Sequence, residues 1–172
     1  DCLSPCARIC PLGMNIPQML RQVQQGRPTE AAATVRAALA LPAVLGRLCH
    51  RPCENGCRRA ACDSAAAIQD VERFVADTNR AAPAPHLAPR RPATGQRVAV
   101  VGSGPAALAA AYALVREGHA CEVLMRGDGA GGSLRREVER GALPAEVLAD
   151  ELRDLGRFGV EFKPNAGVAT LE

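Results

Sequence analysis

The chain has 172 residues, a net charge of +3 and 48% hydrophobic residues, which suits one ordinary domain or two small ones. The charge balance is too mild to indicate nucleic-acid binding, and a single Tyr with no Trp offers few rings for stacking on bases. No apolar run reaches the roughly 18 residues of a membrane span, and no signal-peptide pattern occurs, so we expect a cytoplasmic protein. Because the sequence starts at Asp1 rather than Met, we also expect a segment upstream of it.

Seven of the eight cysteines lie within residues 2–62, in two groups. The group in DCLSPCARICP contains Cys2, Cys6 and Cys10. The group in GRLCHRPCENGCRRAAC contains Cys49, Cys53, Cys57 and Cys62. Such spacing indicates metal ligands, with disulfides or buried unpaired thiols as alternatives. We favour iron–sulfur clusters over zinc, because zinc sites pair their ligands in two knuckles and a Cys-Pro ending is typical of bacterial ferredoxins.

The segments around these cysteines have helical character. Three helices are predicted, over residues 17–25, 28–41 and 64–79. Ser64 is expected to be the N-cap of the third helix, and the cysteines are expected to lie in the turns between helices. Residues 81–96, rich in Pro and Ala, are predicted to form a stiff linker. The predicted domains are therefore 1–80, an α-helical iron–sulfur domain, and 97–172, the first part of an incomplete α/β Rossmann-like domain.

The second half begins with RVAVVGSGPAALAAAYALVREGHACEVLM, which predicts a strand, a glycine turn, a helix and a second strand. Val98–Val101 is expected to be a buried parallel strand. A further helix around 144–158 and a strand in GVEF follow. A nucleotide pyrophosphate would bind to amide groups in the glycine turn and at the start of the helix. The candidate residues there are Gly102, Ser103, Gly104, Pro105 and Ala106.

Two positions in this half depart from the dinucleotide fingerprint. Ala107 replaces the third glycine, which the fingerprint tolerates. Met125 stands where an acid would bind the ribose hydroxyls, and Arg126 after it suits the 2′-phosphate of NADP. The motif by itself therefore leans towards NADP, and a site that binds no nucleotide is a further possibility.

The segments CLSPCARICPLGMNIPQML, GRLCHRPCENGCRR and AIQDVERFVAD resemble the N-terminal dicluster domain of the glutamate synthase small-subunit family, which dihydropyrimidine dehydrogenase shares. The resemblance implies two [4Fe–4S] clusters whose ligands are exchanged between the two cysteine groups. The implied ligands of the first cluster are Cys2, Cys6, Cys57 and a cysteine ahead of Asp1. The implied ligands of the second cluster are Cys10, Cys49, Cys53 and Glu72. Cys62 lies outside the family pattern, so we expect it not to be a ligand, or else to replace the missing fourth thiol.

Helical spacing supports Glu72 independently of the resemblance. Ile68, Val71 and Val75 form an apolar stripe, and Glu72 borders this stripe. A carboxylate at such a position is costly unless it pairs or binds a metal. The alternative is a boundary glutamate whose side chain bends towards solvent.

The later segment GAGGSLRREVERGALPAEVLADELRDLGRFGVEF is similar to the FAD domain of the same family. In that domain a Gly-Gly pair, matched here by Gly131 and Gly132, lets the backbone pass close to the flavin dinucleotide. The resemblance therefore implies FAD, with NADP as the alternative. Since the family's FAD domain needs more chain, we expect this polypeptide not to be a complete enzyme alone.

No side chains suggest acid–base or nucleophilic catalysis, so no catalytic residue is predicted, and the chemistry would belong to cofactors. The resemblance implies electron transfer between NAD(P)H, FAD and a larger redox subunit, through two [4Fe–4S] clusters. The main alternative is a non-catalytic iron–sulfur relay or adaptor subunit with a degenerate nucleotide site. A zinc-stabilised interaction module is the third hypothesis.

Overall fold

The computed structural model describes residues 4–168, and the chain divides into two compact units, Asp1–His86 and Leu87–Glu172. Within the described residues, no single helix is long and apolar enough to cross a membrane. Helices Pro28–Ala38 and Pro42–Leu48 pass that test only together, by length and composition, as a pair bent by 83°.

The first unit is helical. Its elements are α1 (Pro5–Ile9), α2 (Ile16–Gln24), α3 (Pro28–Ala38), α4 (Pro42–Leu48), α5 (Pro52–Asn55), a 3₁₀ helix (Arg58–Ala61) and α6 (Ile68–Ala81). Proline occupies the first turn of each of α1 to α5, where its missing N–H has no intrahelical partner to lose. Asn15 caps α2 by accepting the backbone N–H of Gln18 at 3.2 Å.

The core of this unit forms where α2 and α3 pack together and α6 packs against α2, α3 and α4. It is built from long aliphatic side chains separated by alanines, which lets the helices approach closely. Its buried members are Met14, Ile16, Met19, Ala31, Ala32, Val35, Leu39, Cys53, Ile68 and Val75. One cysteine of the second group is therefore part of the hydrophobic core.

The prediction that Ser64 caps the third helix is wrong. Helix α6 begins at Ile68, the first buried apolar residue of its segment, and Ser64 is exposed. The backbone N–H of Gln69 in the first turn is instead accepted by Glu54 Oε1 of α5, at 2.8 Å. The cap thus comes from a different part of the chain, so local sequence cannot reveal it.

Two other expectations for this unit are corrected. The second predicted helix is three residues too long, because α3 ends at Ala38 rather than at Leu41, and α4, which begins at Pro42, was not predicted. The cysteines do not all lie between helices, since Cys6 is in α1 and Cys53 is in α5. Helices of four or five residues are too short to produce a periodic apolar pattern, which is why sequence periodicity misses them.

The second unit is α/β. Its elements are β1 (Arg97–Val101), α7 (Pro105–Arg116), β2 (Ala120–Leu124), α8 (Ser133–Glu139), α9 (Ala145–Phe158) and β3 (Val160–Lys163). The strands form a parallel sheet in the order β1-β2-β3. Helix α7 packs against the strands and α9, and the rings of Tyr112 and Phe158 stack with centroids 4.8 Å apart. This arrangement is a partial Rossmann-like unit, as predicted.

The expectation that the first strand is buried is wrong, although the strand is parallel. β1 lies at the edge of the sheet, and Ala99 and Val101 on one of its faces are exposed, Val101 by 57%. Its other face is only partly buried. The apolar run predicted burial on both sides, but among residues 4–168 helices cover only one face of this strand.

Residues 82–96, between α6 and β1, form neither helix nor strand. In the first unit, Asn79 accepts the backbone N–H of His86 at 2.8 Å and donates to its carbonyl at 3.2 Å. In the second unit, the N–H of Arg91 is bonded to the carbonyl of Arg116 and that of Thr94 to the carbonyl of Gly118. Several residues of this segment are therefore hydrogen-bonded to the unit in which they lie.

Candidate functional site

Four predicted ligand residues of the second cluster line one cavity in the first unit. The cavity has a volume of about 40 Å³, which exceeds the roughly 10–15 Å³ that one water requires. The four residues come from four elements: the C-terminal end of α1, the C-terminal end of α4, α5 and α6. They are Cys10, Cys49, Cys53 and Glu72, and the other walls include Leu12, Met14, Ile16, Leu39 and Leu45. Their role as ligands stays a prediction, but the structure brings all four together.

Glu72 is the unusual member of this group. Its residue surface is 7% exposed, and burial alone raises its pKa from 4.5 to about 7. Among the described residues, no basic side chain or N–H group stabilises its charged form. A buried carboxyl group without such a partner is costly, and a metal is one of the few groups that compensate it. The alternative of a side chain bent into solvent does not fit this burial.

The thiol of Cys53 lies in similar surroundings. Its pKa is raised to about 11, mainly by burial and to a smaller extent by the nearby charges of Cys49, Glu54 and Cys10. Metal ligands must be deprotonated, and at neutral pH a pKa of about 11 keeps this thiol protonated unless a cation shares the cavity. Acidic groups collected in a poorly solvated cavity therefore fit a bound metal cofactor.

The residues proposed for the first cluster are less completely described. Cys2 lies outside residues 4–168. Cys6 is in α1, which packs against α5, and a Cβ at Gly56 would overlap the Ile9 side chain, so Cys57 follows a residue in close contact with α1. The pKa of the Cys57 thiol is lowered by backbone N–H groups of Ala66, Arg59 and Ala60. Amide groups directed at a sulfur stabilise a thiolate ligand.

Disulfides are absent from the part of the chain that the structure describes. All seven cysteines there are free, namely Cys6, Cys10, Cys49, Cys53, Cys57, Cys62 and Cys121. Within the same residues, no three His, Cys, Asp or Glu side chains converge on a position for a single metal ion. The predicted ligands of the second cluster line a shared cavity.

Two polar contacts near this cavity were missed in the sequence. Gln69 Nε2 donates to the carbonyl of Cys49 at 3.0 Å, and the Gln69 backbone N–H is bonded to Glu54. Both contacts tie the start of α6 to the segment that carries Cys49 and Cys53. No local pattern indicates them, because the partners are 15 and 20 residues apart.

The predicted glycine turn of the second unit lies between β1 and α7. Gly102 has a φ of +101°, a value that favours glycine, and its N–H is bonded to the carbonyl of Leu124 at 2.8 Å. Gly104 immediately precedes α7, and Pro105 and Ala106 form the first turn of that helix. The free amide groups of such a turn are the usual binding site for a pyrophosphate.

Gly131 and Gly132 contact this turn directly. The N–H of Gly131 is bonded to the carbonyl of Ser103 at 2.9 Å. A Cβ at Gly132 would lie 2.7 Å from Gly104 Cα, and the φ of Gly132 is +51°. Only glycine permits this approach without strain, so the two predicted glycine segments form one continuous backbone surface.

Met125 and Arg126 follow β2. Met125 is 4% exposed, and its backbone N–H and C=O are bonded to Lys163 and Ala166. Arg126 is exposed. The position expected to hold an acid is thus a buried apolar residue, and the basic side chain next to it is open to solvent.

A groove between α8 and α9 was not anticipated from the sequence. Its volume is about 280 Å³, and Ala130, next to the Gly131–Gly132 pair, forms part of its wall. The other wall residues are Arg135, Val138, Glu139, Ala145, Leu148, Ala149 and Leu152. Helical periodicity marks the buried side of α9 but cannot show the space left between two helices.

Comparison with known protein families agrees with this division. Residues 1–84 match the family described as dihydropyrimidine dehydrogenase domain II, 4Fe-4S cluster. This match covers nearly the whole of the first unit. Residues 100–156 match the NAD(P)-binding Rossmann-like domain, so the second unit is of the nucleotide-binding class. At this level the predicted 4Fe–4S and nucleotide cofactors are confirmed.

Curated relatives extend over nearly the whole chain. The small chain of NADPH glutamate synthase from Mycobacterium tuberculosis is 38% identical over 98% of this chain and 35% of its own length. The beta subunit of the NADP⁺-dependent formate dehydrogenase of Moorella thermoacetica is 34% identical over 96% of this chain and 26% of its own length. The beta subunit of NADPH-Fe(3+) oxidoreductase from Geobacter sulfurreducens is 33% identical over 92% of this chain and 24% of its own length. The resemblance to the glutamate synthase small-subunit family is confirmed, and the chain spans about a quarter to a third of these relatives.

Proposed function

We propose that this chain is the electron-transfer part of an iron–sulfur oxidoreductase, with two [4Fe–4S] clusters in the first unit and FAD in the second. The observation that carries the proposal is the cavity lined by Cys10, Cys49, Cys53 and Glu72. The names of the relatives describe redox enzyme subunits, which supports the same interpretation. Bound clusters would supply one-electron chemistry, while the protein provides ligands, spacing and a poorly solvated environment.

Cys10, Cys49, Cys53 and Glu72 would hold the second cluster. The carboxylate of Glu72 and the thiolate of Cys53 are both disfavoured by burial in the free chain. Binding the positively charged irons would remove that cost and thus couple cluster binding to deprotonation of both groups. The backbone N–H of Arg51, 3.4 Å from Cys49 Sγ, would help to stabilise that thiolate.

Cys2, Cys6 and Cys57 would hold the first cluster, together with a thiol ahead of Asp1. The amide groups around Cys57 and the packing of α1 against α5 support this part of the proposal. Cys62 is exposed at the end of the 3₁₀ helix, and we propose that it is not a ligand.

In the second unit, Gly102, Ser103, Gly104, Pro105 and Ala106 would bind the FAD pyrophosphate through backbone amide groups. Gly131 and Gly132 would line the flavin dinucleotide, and their contacts with the turn at Ser103 and Gly104 support this placement. We favour FAD over NADP because Gly131 and Gly132 match the Gly-Gly pair that lies along the flavin dinucleotide in the family this chain resembles. Arg126 would take part only if NADP were bound.

Anaerobic reconstitution with iron and sulfide, followed by iron analysis, tests the cluster assignment. We expect about eight iron atoms per chain when an upstream thiol completes the first site. Without that thiol, we expect at least about four iron atoms, those of the second site. Titration with FAD, followed by its absorbance, tests the nucleotide site. A colourless chain that takes up only zinc would refute the proposal.

The partner would be a larger redox subunit that exchanges electrons with this chain, and no nucleic acid is involved. We propose a cytoplasmic location, because thiols that act as cluster ligands persist in a reducing compartment. The second candidate function, a relay subunit with a degenerate nucleotide site, rests on the buried Met125. FAD bound at one equivalent per chain would exclude it, whereas clusters without any bound nucleotide would support it.

A further inference from the structure

The second cluster site draws its ligands from four elements, and the distance of α6 from two of them must be controlled. Cys49 follows the end of α4 and Cys53 lies in α5, whereas Glu72 lies on α6. A carboxylate joins the three thiols at the cavity only if α6 lies at the correct distance from α4 and α5. The contacts that set this distance are therefore part of the site, although none of them involves a ligand side chain.

The closest of these contacts is at Gly46, in α4 three residues before Cys49. A Cβ at Gly46 would lie 2.8 Å from Cα, 3.0 Å from Cβ and 3.2 Å from N of Arg73, the residue next to Glu72. Gly46 has no positive φ, so space rather than backbone conformation requires glycine here. Because two of the three Arg73 atoms belong to the backbone, a larger residue at position 46 must move α4 and α6 apart.

Polar contacts hold α6 on either side of Glu72. One turn before it, Gln69 donates its side-chain amide to the carbonyl of Cys49 and its backbone N–H to Glu54, at 3.0 and 2.8 Å. After Glu72, Asp77 accepts from Arg47 of α4 at 2.9 Å, and the Arg47 side chain is only 9% exposed. Glu72 is thus bracketed by connections to the two elements on either side of Cys49.

We propose that Gly46 and Gln69 are positioning residues for the second cluster, holding α6 at the distance from Cys49 and Cys53 that makes Glu72 the fourth ligand. This inference rests on the proposed function for the identity of the cofactor. Glycine inside a helix is less favourable than alanine, so Gly46 lowers the helical stability of α4 while it permits the close approach. A merely structural role would affect folding as a whole, whereas a positioning role affects one cluster and spares the other.

The test compares Gly46→Ala and Gln69→Leu with the parent after anaerobic reconstitution of the full chain. In a parent whose first site is completed by an upstream thiol, each variant should lose about four iron atoms per chain and one of the two signals in the spectrum of the reduced, paramagnetic clusters. Gly156→Ala is the matched control, because its added Cβ meets nothing within 4 Å. Gly46→Ala or Gln69→Leu with the parent's iron content and both signals would overturn the inference, and so would an equal loss in the control.

A second measurement needs no cluster. In the metal-free chain, Glu54→Ala removes the acceptor of the Gln69 N–H, whereas Glu54→Gln keeps an oxygen there. Hydrogen exchange across residues 66–72 should accelerate roughly tenfold in Glu54→Ala, the factor expected for one such hydrogen bond, and little in Glu54→Gln. Unchanged exchange in both variants would contradict the connection between α6 and the Cys53 segment. A parent that binds no iron would refute the proposed function instead, and this measurement would still decide whether Glu54 holds the start of α6 against the Cys53 segment.

Discussion

Replacing Glu72 with glutamine should stabilise the metal-free chain at high pH. The Glu72 residue is 7% exposed, and burial raises the pKa of its carboxyl group from 4.5 to about 7. Between these pH values the folded chain keeps a proton on this carboxyl group that the unfolded chain has released. Stability contributed by this group is therefore complete below pH 4.5 and is lost as the pH rises towards 7.

The size of the effect follows from that shift. One pKa unit corresponds to about 1.4 kcal/mol, so a rise from 4.5 to about 7 corresponds to a penalty of about 3 kcal/mol above pH 7. Because the glutamine side chain carries no charge, Glu72→Gln should be more stable than the parent by about 3 kcal/mol at pH 8. At pH 5 the difference should fall below about 1 kcal/mol.

Urea unfolding at pH 5 and pH 8 measures this difference, with reductant and chelator present. Far-UV circular dichroism follows both units, while fluorescence of Tyr112 reports on the second unit separately. Asp70→Asn is the control, since it removes the same charge from an exposed position on the same helix. If Glu72→Gln and the parent lose the same stability between pH 5 and pH 8, the carboxyl group is solvated and the reasoning about the cavity fails.

Three further substitutions test the assigned sites. Gly132→Ala should weaken FAD binding at least about tenfold, because its Cβ would lie 2.7 Å from Gly104 Cα. Gly127→Ala is the control, because its added Cβ meets nothing within 4 Å. Equal FAD affinities of the two variants in a fluorescence titration would contradict this. Cys57→Ser should lower the iron content after reconstitution while Cys62→Ser keeps it, and the reverse result would make Cys62 the ligand. Arg126→Ala should leave FAD binding unchanged, since an exposed guanidinium there serves only a 2′-phosphate. If the parent binds NADP but not FAD, and Arg126→Ala no longer binds NADP, the choice of FAD is wrong.

Predictability differed between the two units for physical reasons. In the second unit, the apolar run at Val98–Val101 and the glycines after it specify a strand and a turn locally, and both were predicted. Burial of that strand was not predictable, because it depends on which elements cover each face. In the first unit, the start of α6 was misplaced at Ser64, since its true cap is Glu54, fifteen residues before the Gln69 whose N–H it accepts.

Local sequence patterns were enough to specify the cysteine spacing, the place of Glu72 beside an apolar stripe, and the order of strand, glycine turn and helix. These features depend on interactions within one or two turns of chain, or on dihedral angles that only glycine adopts. The folded chain was needed to show that Cys10, Cys49, Cys53 and Glu72 line one cavity and that Gly132 lies against Gly104. Contacts between distant segments depend on how whole helices pack, and no local pattern specifies that packing.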